Sequence, residues 1–184
     1  DNCGIGTLSA TPNSFTCANV DTNTVVLTVP DVNGNTATCT AVVTVEDNIP
    51  PTALCQNATV ALNGAGNGSI TAGDINNGSA DNCGIQTISV SPSSFTCSDA
   101  GNNTVTLTVT DSSGNSSTCT ATVLVEESIA PTAVCQNATV QLNGSGSGTV
   151  NAANVDGGST DNCGITSSTV APSTVSCSDI GPNT

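Results

Sequence analysis

The sequence contains no lysine, arginine or histidine in 184 residues, and no methionine, tryptophan or tyrosine. Its 14 aspartates and glutamates are therefore uncompensated, and the net charge is −14. Without cationic side chains nothing can neutralise phosphate, which excludes nucleic-acid binding. The same deficit argues against anionic membrane surfaces. General-base, Schiff-base and Ser-His-Asp chemistry each lose an essential group. Glycosidase-type carboxylate pairs need a cleft and aromatic platforms, and the only aromatics are Phe15 and Phe95. The expectation is a chain that is not an enzyme. Lys–Asn isopeptide cross-links cannot form, and trypsin has no site. No apolar run reads as a signal peptide or a membrane span, so direct membrane insertion is not expected.

What remains is periodic. DNCGI occurs at residues 1–5, 81–85 and 161–165. The segments VEDNIPPTALC (45–55) and VEESIAPTAVC (125–135) mark the repeat boundary. One complete repeat therefore runs 48–127. Residues 1–47 form the C-terminal part of a preceding repeat, and 128–184 the N-terminal part of a following one. The expectation is a window cut from a longer array, in which stability scales with repeat number.

Within 48–127 the signals are β throughout. TVTLTVT (104–110) alternates Thr with Val105, Leu107 and Val109, and CTATVLVE (119–126) places Cys119, Ala121, Val123 and Val125 on one face. Strict period two marks half-buried strands. DSSGN (111–115) between them has turn composition, so the two form a hairpin. Residues 52–62 read as a strand with a bulge at Gln56-Asn57. GSITAGDI (68–75), GIQTISV (84–90) and SFTC (94–97) supply further strands, and no segment shows a helical period. The predicted fold class is all-β, with tandem immunoglobulin-like β-sandwich repeats of 80 residues.

The ten cysteines also keep the period. With no His and no C-x-x-C pair, a disulfide framework in an oxidising, extracytoplasmic setting is the better reading than zinc. Four cysteines per repeat allow three connectivities. The favoured one pairs Cys83–Cys97, closing a short strand-turn-strand, and Cys55–Cys119, stapling the first strand to the last. Copies of the former are Cys3–Cys17 and Cys163–Cys177. Cys39 and Cys135 are left without partners in the window.

PPTALC, DNCGI and TVTLTVTDSSGNSSTCTATVLVE together resemble hyalin (HYR-like) repeats, an immunoglobulin-like family. The nearest likeness is to those of long secreted surface proteins of Bacteroidota, gliding-motility adhesins among them. The resemblance covers the whole chain. It implies a secreted, cell-surface, adhesion-related stalk or filament whose partners are neighbouring repeats or other copies. A binding module acting through its loops on a glycan or protein, with avidity from repetition, is the alternative. The absence of Trp, Tyr and Arg weighs against it.

The acids that keep the period suggest one further feature. Threading the strands through a sandwich brings Glu46, Asp47, Asp74, Asp81 and Asp111 toward one inter-repeat junction. Glu126, Glu127, Asp156 and Asp161 approach the next. Clustered carboxylates and carbonyls suit Ca²⁺, a hard cation with oxygen ligands. In the competing reading, Asp111 and Asp81 bond their own backbones in turns, and Glu46 and Asp47 keep an edge soluble.

Overall fold

The computed structural model describes Asn2 and residues 4–181. The segment preceding the first proline boundary folds as an antiparallel meander of β1 (Ser9–Thr11), β2 (Asp21–Pro30) and β3 (Thr36–Val45). Between residues 48 and 127 follow β4 (Ala58–Ala61), β5 (Asn67–Ser69), a one-turn helix α1 (Ala72–Ile75), β6 (Ile85–Ser91), β7 (Ser94–Thr96), β8 (Gly101–Asp111) and β9 (Ser116–Glu126). The last segment carries β10 (Ser147–Thr149), α2 (Ala152–Val155) and β11 (Thr174–Ser176). The chain is thus mostly β, as its alternation predicts.

The strands β4, β9, β8 and β6 form one sheet in that order, while β5 pairs with β7 and β10 with β11. Period two accounts for the core. Val105, Leu107 and Val109 on β8 are fully buried, and Ala121, Val123 and Val125 on β9 are buried, with the intervening residues, mostly Thr, facing outward. Val25, Leu62, Ile70, Ile75 and Phe95 are buried as well.

Two expectations are corrected. Residues 52–62 do not form one strand: Thr52 and Cys55 make isolated bridges to Ala80 and Asn76, and only 58–61 are regular. The stretch 68–75 is not a strand throughout. It breaks at Thr71, whose N–H and hydroxyl both donate to the Asp74 carboxylate at 2.7 and 2.8 Å, opening α1. This local capping overrides the extended pattern.

The chain divides into two compact units that ignore the repeat boundaries. The first takes Asp1–Ala58, Thr71–Pro92 and Thr104–Thr122; the second takes Thr59–Ile70, Ser93–Asn103 and Val123–Thr184. Each unit therefore joins part of 48–127 to a flanking segment. Equivalent residues differ in cover: Ala121 is buried, whereas Ala41, its counterpart 80 residues earlier, is exposed.

Leu107 has no exposure, while Leu124 is 36 % exposed. Leu107→Ala is expected to cost about 2–5 kcal/mol by loss of burial plus a cavity. Leu124→Ala is expected to stay within about 1 kcal/mol. Denaturant unfolding of the two variants checks the difference.

Candidate functional site

Each residue of Asp81-Asn82-Cys83-Gly84-Ile85 has a distinct task. The Asp81 carboxylate receives the Cys83 N–H through Oδ2 at 2.7 Å. The Asn82 amide donates to Asp47 Oδ1 at 3.2 Å. Cys83 is bonded to Cys17. Gly84 has φ +99°, which an L side chain rarely adopts, and its carbonyl accepts the Ser112 N–H. Ile85 begins β6 opposite Asp111. The third copy repeats the pattern: Cys163 donates its N–H to Asp161 Oδ2, Asn162 donates to the Asn63 carbonyl, and Cys163 is bonded to Cys97.

The first compact unit gathers Asp47, Asp81 and Asp111, each offering a carboxylate oxygen within 4.8 Å of the other two. Asp111 is wholly buried and Asp47 is 9 % exposed. Strand phase puts them there. Asp111 continues Val105, Leu107 and Val109 onto the core face, and Asp47 continues Val43 and Val45. Asp111 Oδ1 accepts the N–H groups of Ser113 and Asn115, and its Oδ2 accepts the Asn115 amide, which also reaches the Asp47 carbonyl. Asp47 Oδ1 accepts the Ile49 N–H besides Asn82. Two oxygens, Asp47 Oδ2 and Asp81 Oδ1, are shut from solvent with no partner. A shallow recess of about 230 Å³ lies beside them, lined by Ile49, Pro50, Thr52, Ala80, Asp81 and Asn82.

The remaining candidate acids stay out of this cluster. Glu46 falls on the outward phase of its strand end, is exposed and accepts only the Asn48 amide. Asp74 is committed to its cap on Thr71. Of the second set, Glu127 accepts the Ile129 N–H, Asp156 holds its own turn through Gly158 and Ser159, and Glu126 faces outward. Asp161 keeps a buried oxygen without a partner, as Asp81 does, but among the described residues these four form no cluster. The turn-bonding reading also holds in part, since Asp111 and Asp81 do bond their own loops.

The disulfides correct the expected framework. Cys55–Cys119 joins the pair named from the sequence. The pairs Cys83–Cys97, Cys3–Cys17 and Cys163–Cys177 do not form. Cys17 is bonded to Cys83 and Cys97 to Cys163, each across a separation of 66 residues. Cys3 lies outside the described residues; Cys39, Cys135 and Cys177 are free and exposed. The reason is the path after β6. Ser94–Thr96 does not fold back on β6 but pairs with β5, Gly68 opposite Phe95, so Cys83 and Cys97 fall in different compact units. Gly66 makes room there: at φ +74° it packs so closely that a Cβ would meet Cys97 Sγ at 2.6 Å and the Asn162 carbonyl at 2.9 Å. Gly146 stands in the same relation to Cys177. Sequence reasoning passed over both glycines, although their recurrence 31 residues before a cysteine was a signal.

Four carboxyls are held below their ordinary value. The Asn35 amide and neighbouring N–H groups lower Asp31. The Thr71 N–H and hydroxyl lower Asp74, and Ser159 with Gly158 lowers Asp156. At Asp111 burial pushes upward, but the Asn115 amide and the turn N–H groups outweigh it. No protein-family model matches this chain, and no curated protein is similar to it. No helix among the described residues is long and apolar enough to cross a membrane. Three disulfides are consistent with an oxidising, extracytoplasmic setting.

A carboxyl with a depressed folded value stabilises the fold above its unfolded pKa and loses that contribution as the pH falls through the folded one. Carboxyl NMR titration is expected to give midpoints below 3.8 for Asp31, Asp74, Asp111 and Asp156. Their share of the stability is complete well above the ordinary carboxylate value and is lost as the pH falls through that value and then through the folded midpoints.

Proposed function

We propose that this chain is a load-bearing segment of an extracellular stalk or filament of a bacterial surface adhesin, built from tandem immunoglobulin-like repeats of the hyalin type. One observation carries the reading. Cys17 and Cys97 are equivalent positions, as are Cys83 and Cys163, and both bridges span the same 66 residues. Each therefore ties the SFTC-type cysteine of one repeat to the DNC cysteine of the next.

This connectivity sets the covalent path for tension. A pull entering before Cys17 crosses to Cys83, follows the backbone to Cys97, and crosses again to Cys163. The stretches 18–82 and 98–162 hang outside this path, and most of each repeat with them. Cys55–Cys119 links those two stretches and adds a parallel route. Non-covalent strands therefore need not unzip for the rod to hold. The same bridges stabilise the fold at rest: closing a 66-residue loop contributes about 4 kcal/mol, against about 3 kcal/mol for a 15-residue loop. The all-acidic surface and the low aromatic content suit a solvated spacer better than a sticky interface.

Non-reducing peptide mapping after cleavage at acidic residues is expected to recover Cys17 with Cys83 and Cys97 with Cys163. In single-molecule pulling, the oxidised chain should extend without releasing the bridged loops until the tether fails. Reduction of one cross-repeat bridge together with Cys55–Cys119 should free roughly 220 Å of extra contour, at about 3.4 Å per residue over 66 residues. Full loop release under oxidising conditions would remove the load-bearing reading.

A further inference from the structure

We infer that Asp47, Asp81 and Asp111 form a binding site for one divalent cation, and that calcium is the ion it takes. The three carboxylates come from three separate pieces of chain: the end of β3, the DNC loop and the β8–β9 turn. Their ligand oxygens lie within 4.8 Å of one another, as oxygens on a coordination sphere of about 2.4 Å radius must. Proximity of acids alone says little, since acids crowd many turns. Here a second observation stands beside it. Asp47 is nine-tenths buried and its Oδ2 has no hydrogen-bond partner, and Asp81 Oδ1 is buried without one as well. A buried carboxylate oxygen with no donor carries a desolvation cost that some positive partner must offset. The chain cannot supply one, for it has no Lys, Arg or His.

The surrounding bonds hold the carboxylates ready. Asn82 fixes Asp47 through Oδ1, the Cys83 N–H fixes Asp81 through Oδ2, and Asn115 spans Asp111 and the Asp47 carbonyl. In Asp47 and Asp81 one oxygen is thereby occupied and the other left over. An all-oxygen set of three carboxylates selects a hard cation over zinc or copper. Few protein ligands leave room for water, which the recess along Ile49, Pro50 and Thr52 admits. That arrangement tolerates the loose, high-coordination shell of calcium better than the strict octahedron of magnesium.

A bound ion would tie the end of β3 to the loop that carries Cys83, at Asp81, two residues before the cysteine bonded to Cys17. The site does not depend on the load-path reading, because its residues meet whether or not the chain bears tension. Asp161 repeats the unpartnered oxygen 80 residues on, so the same inference extends to any further repeat that presents a counterpart of Asp111 to it.

The test is calorimetric titration of the oxidised full chain with calcium chloride to about 10 mM, roughly ten times the weakest dissociation constant of about 1 mM usual for extracellular calcium modules. Magnesium chloride is titrated in parallel, and thermal unfolding is followed in calcium and in chelator. The expected result is one calcium per chain, weaker magnesium binding and a Tm raised by calcium. Asp47→Asn and Asp81→Asn keep the size and the existing acceptor oxygen of each residue, so both should fold, which a bridge map and a circular dichroism spectrum verify. Each should weaken calcium binding by about tenfold or more, as loss of a charged ligand does. Glu46→Gln should leave it unchanged. Absence of calcium heat and of any Tm shift in a correctly bridged chain overturns the inference. Binding that survives both Asn variants overturns it equally.

Discussion

The bond between a cysteine of one repeat and a cysteine of the next organises this molecule. Cys17–Cys83 lies within the first compact unit and Cys97–Cys163 within the second, and both units straddle the sequence repeats instead of coinciding with them. A repeat of about 80 residues with one phenylalanine and a core of Val, Leu, Ile and Ala is near the size at which hydrophobic burial alone is marginal. Covalent links between neighbours relieve each repeat of having to be stable by itself, the situation that repeat arrays reach elsewhere through nearest-neighbour interfaces.

The second constraint is electrostatic. A chain with only negative side chains must accommodate every buried carboxylate by neutral donors. Asp111 is so accommodated, by Ser113 and Asn115, and carboxylates nearer the surface follow the same pattern: Asp31 by Asn33 and Asn35, Asp74 by Thr71, Asp156 by Ser159. Amide and hydroxyl side chains, abundant in this composition, thus replace the guanidinium and ammonium groups that other proteins use. The exceptions are single oxygens of Asp47, Asp81 and Asp161, shut from solvent with no donor.

Much of this was legible from residue order. The alternation of 104–110 and 119–126 gives both long strands and the buried face, because period two is a direct consequence of strand geometry. The same parity separates Asp111, in phase with buried Val105 and Val109, and Asp47, in phase with half-buried Val43 and Val45, from Glu46, out of phase. Applied to the acids it would have removed Glu46 from the five-residue junction. Asp74 was misplaced because its capping of Thr71 is a local hydrogen-bond preference that hydrophobic period does not register. The bridges were misassigned for a different reason. Ser91-Pro92-Ser93-Ser94 reads as a turn in either topology, and nothing local says whether Phe95 returns to β6 or crosses to β5. The recurrence of Gly66 and Gly146 31 residues before a cysteine was the one hint, and the close approach of backbone to Sγ behind it is a non-local contact.

The 66-residue spacing also fixes an order of events when the chain is made. As the polypeptide emerges, Cys17 meets Cys39 and Cys55 before Cys83 exists, and Cys97 likewise meets Cys119 and Cys135 before Cys163. The native partner is always the third cysteine to follow. An oxidant that closes each thiol with the first one available produces a scrambled chain, whereas thiol–disulfide exchange allows the pairing to wait for the next repeat. Maturation of such an array therefore proceeds one repeat behind its own synthesis, and the compartment that receives it must supply isomerisation as well as oxidation.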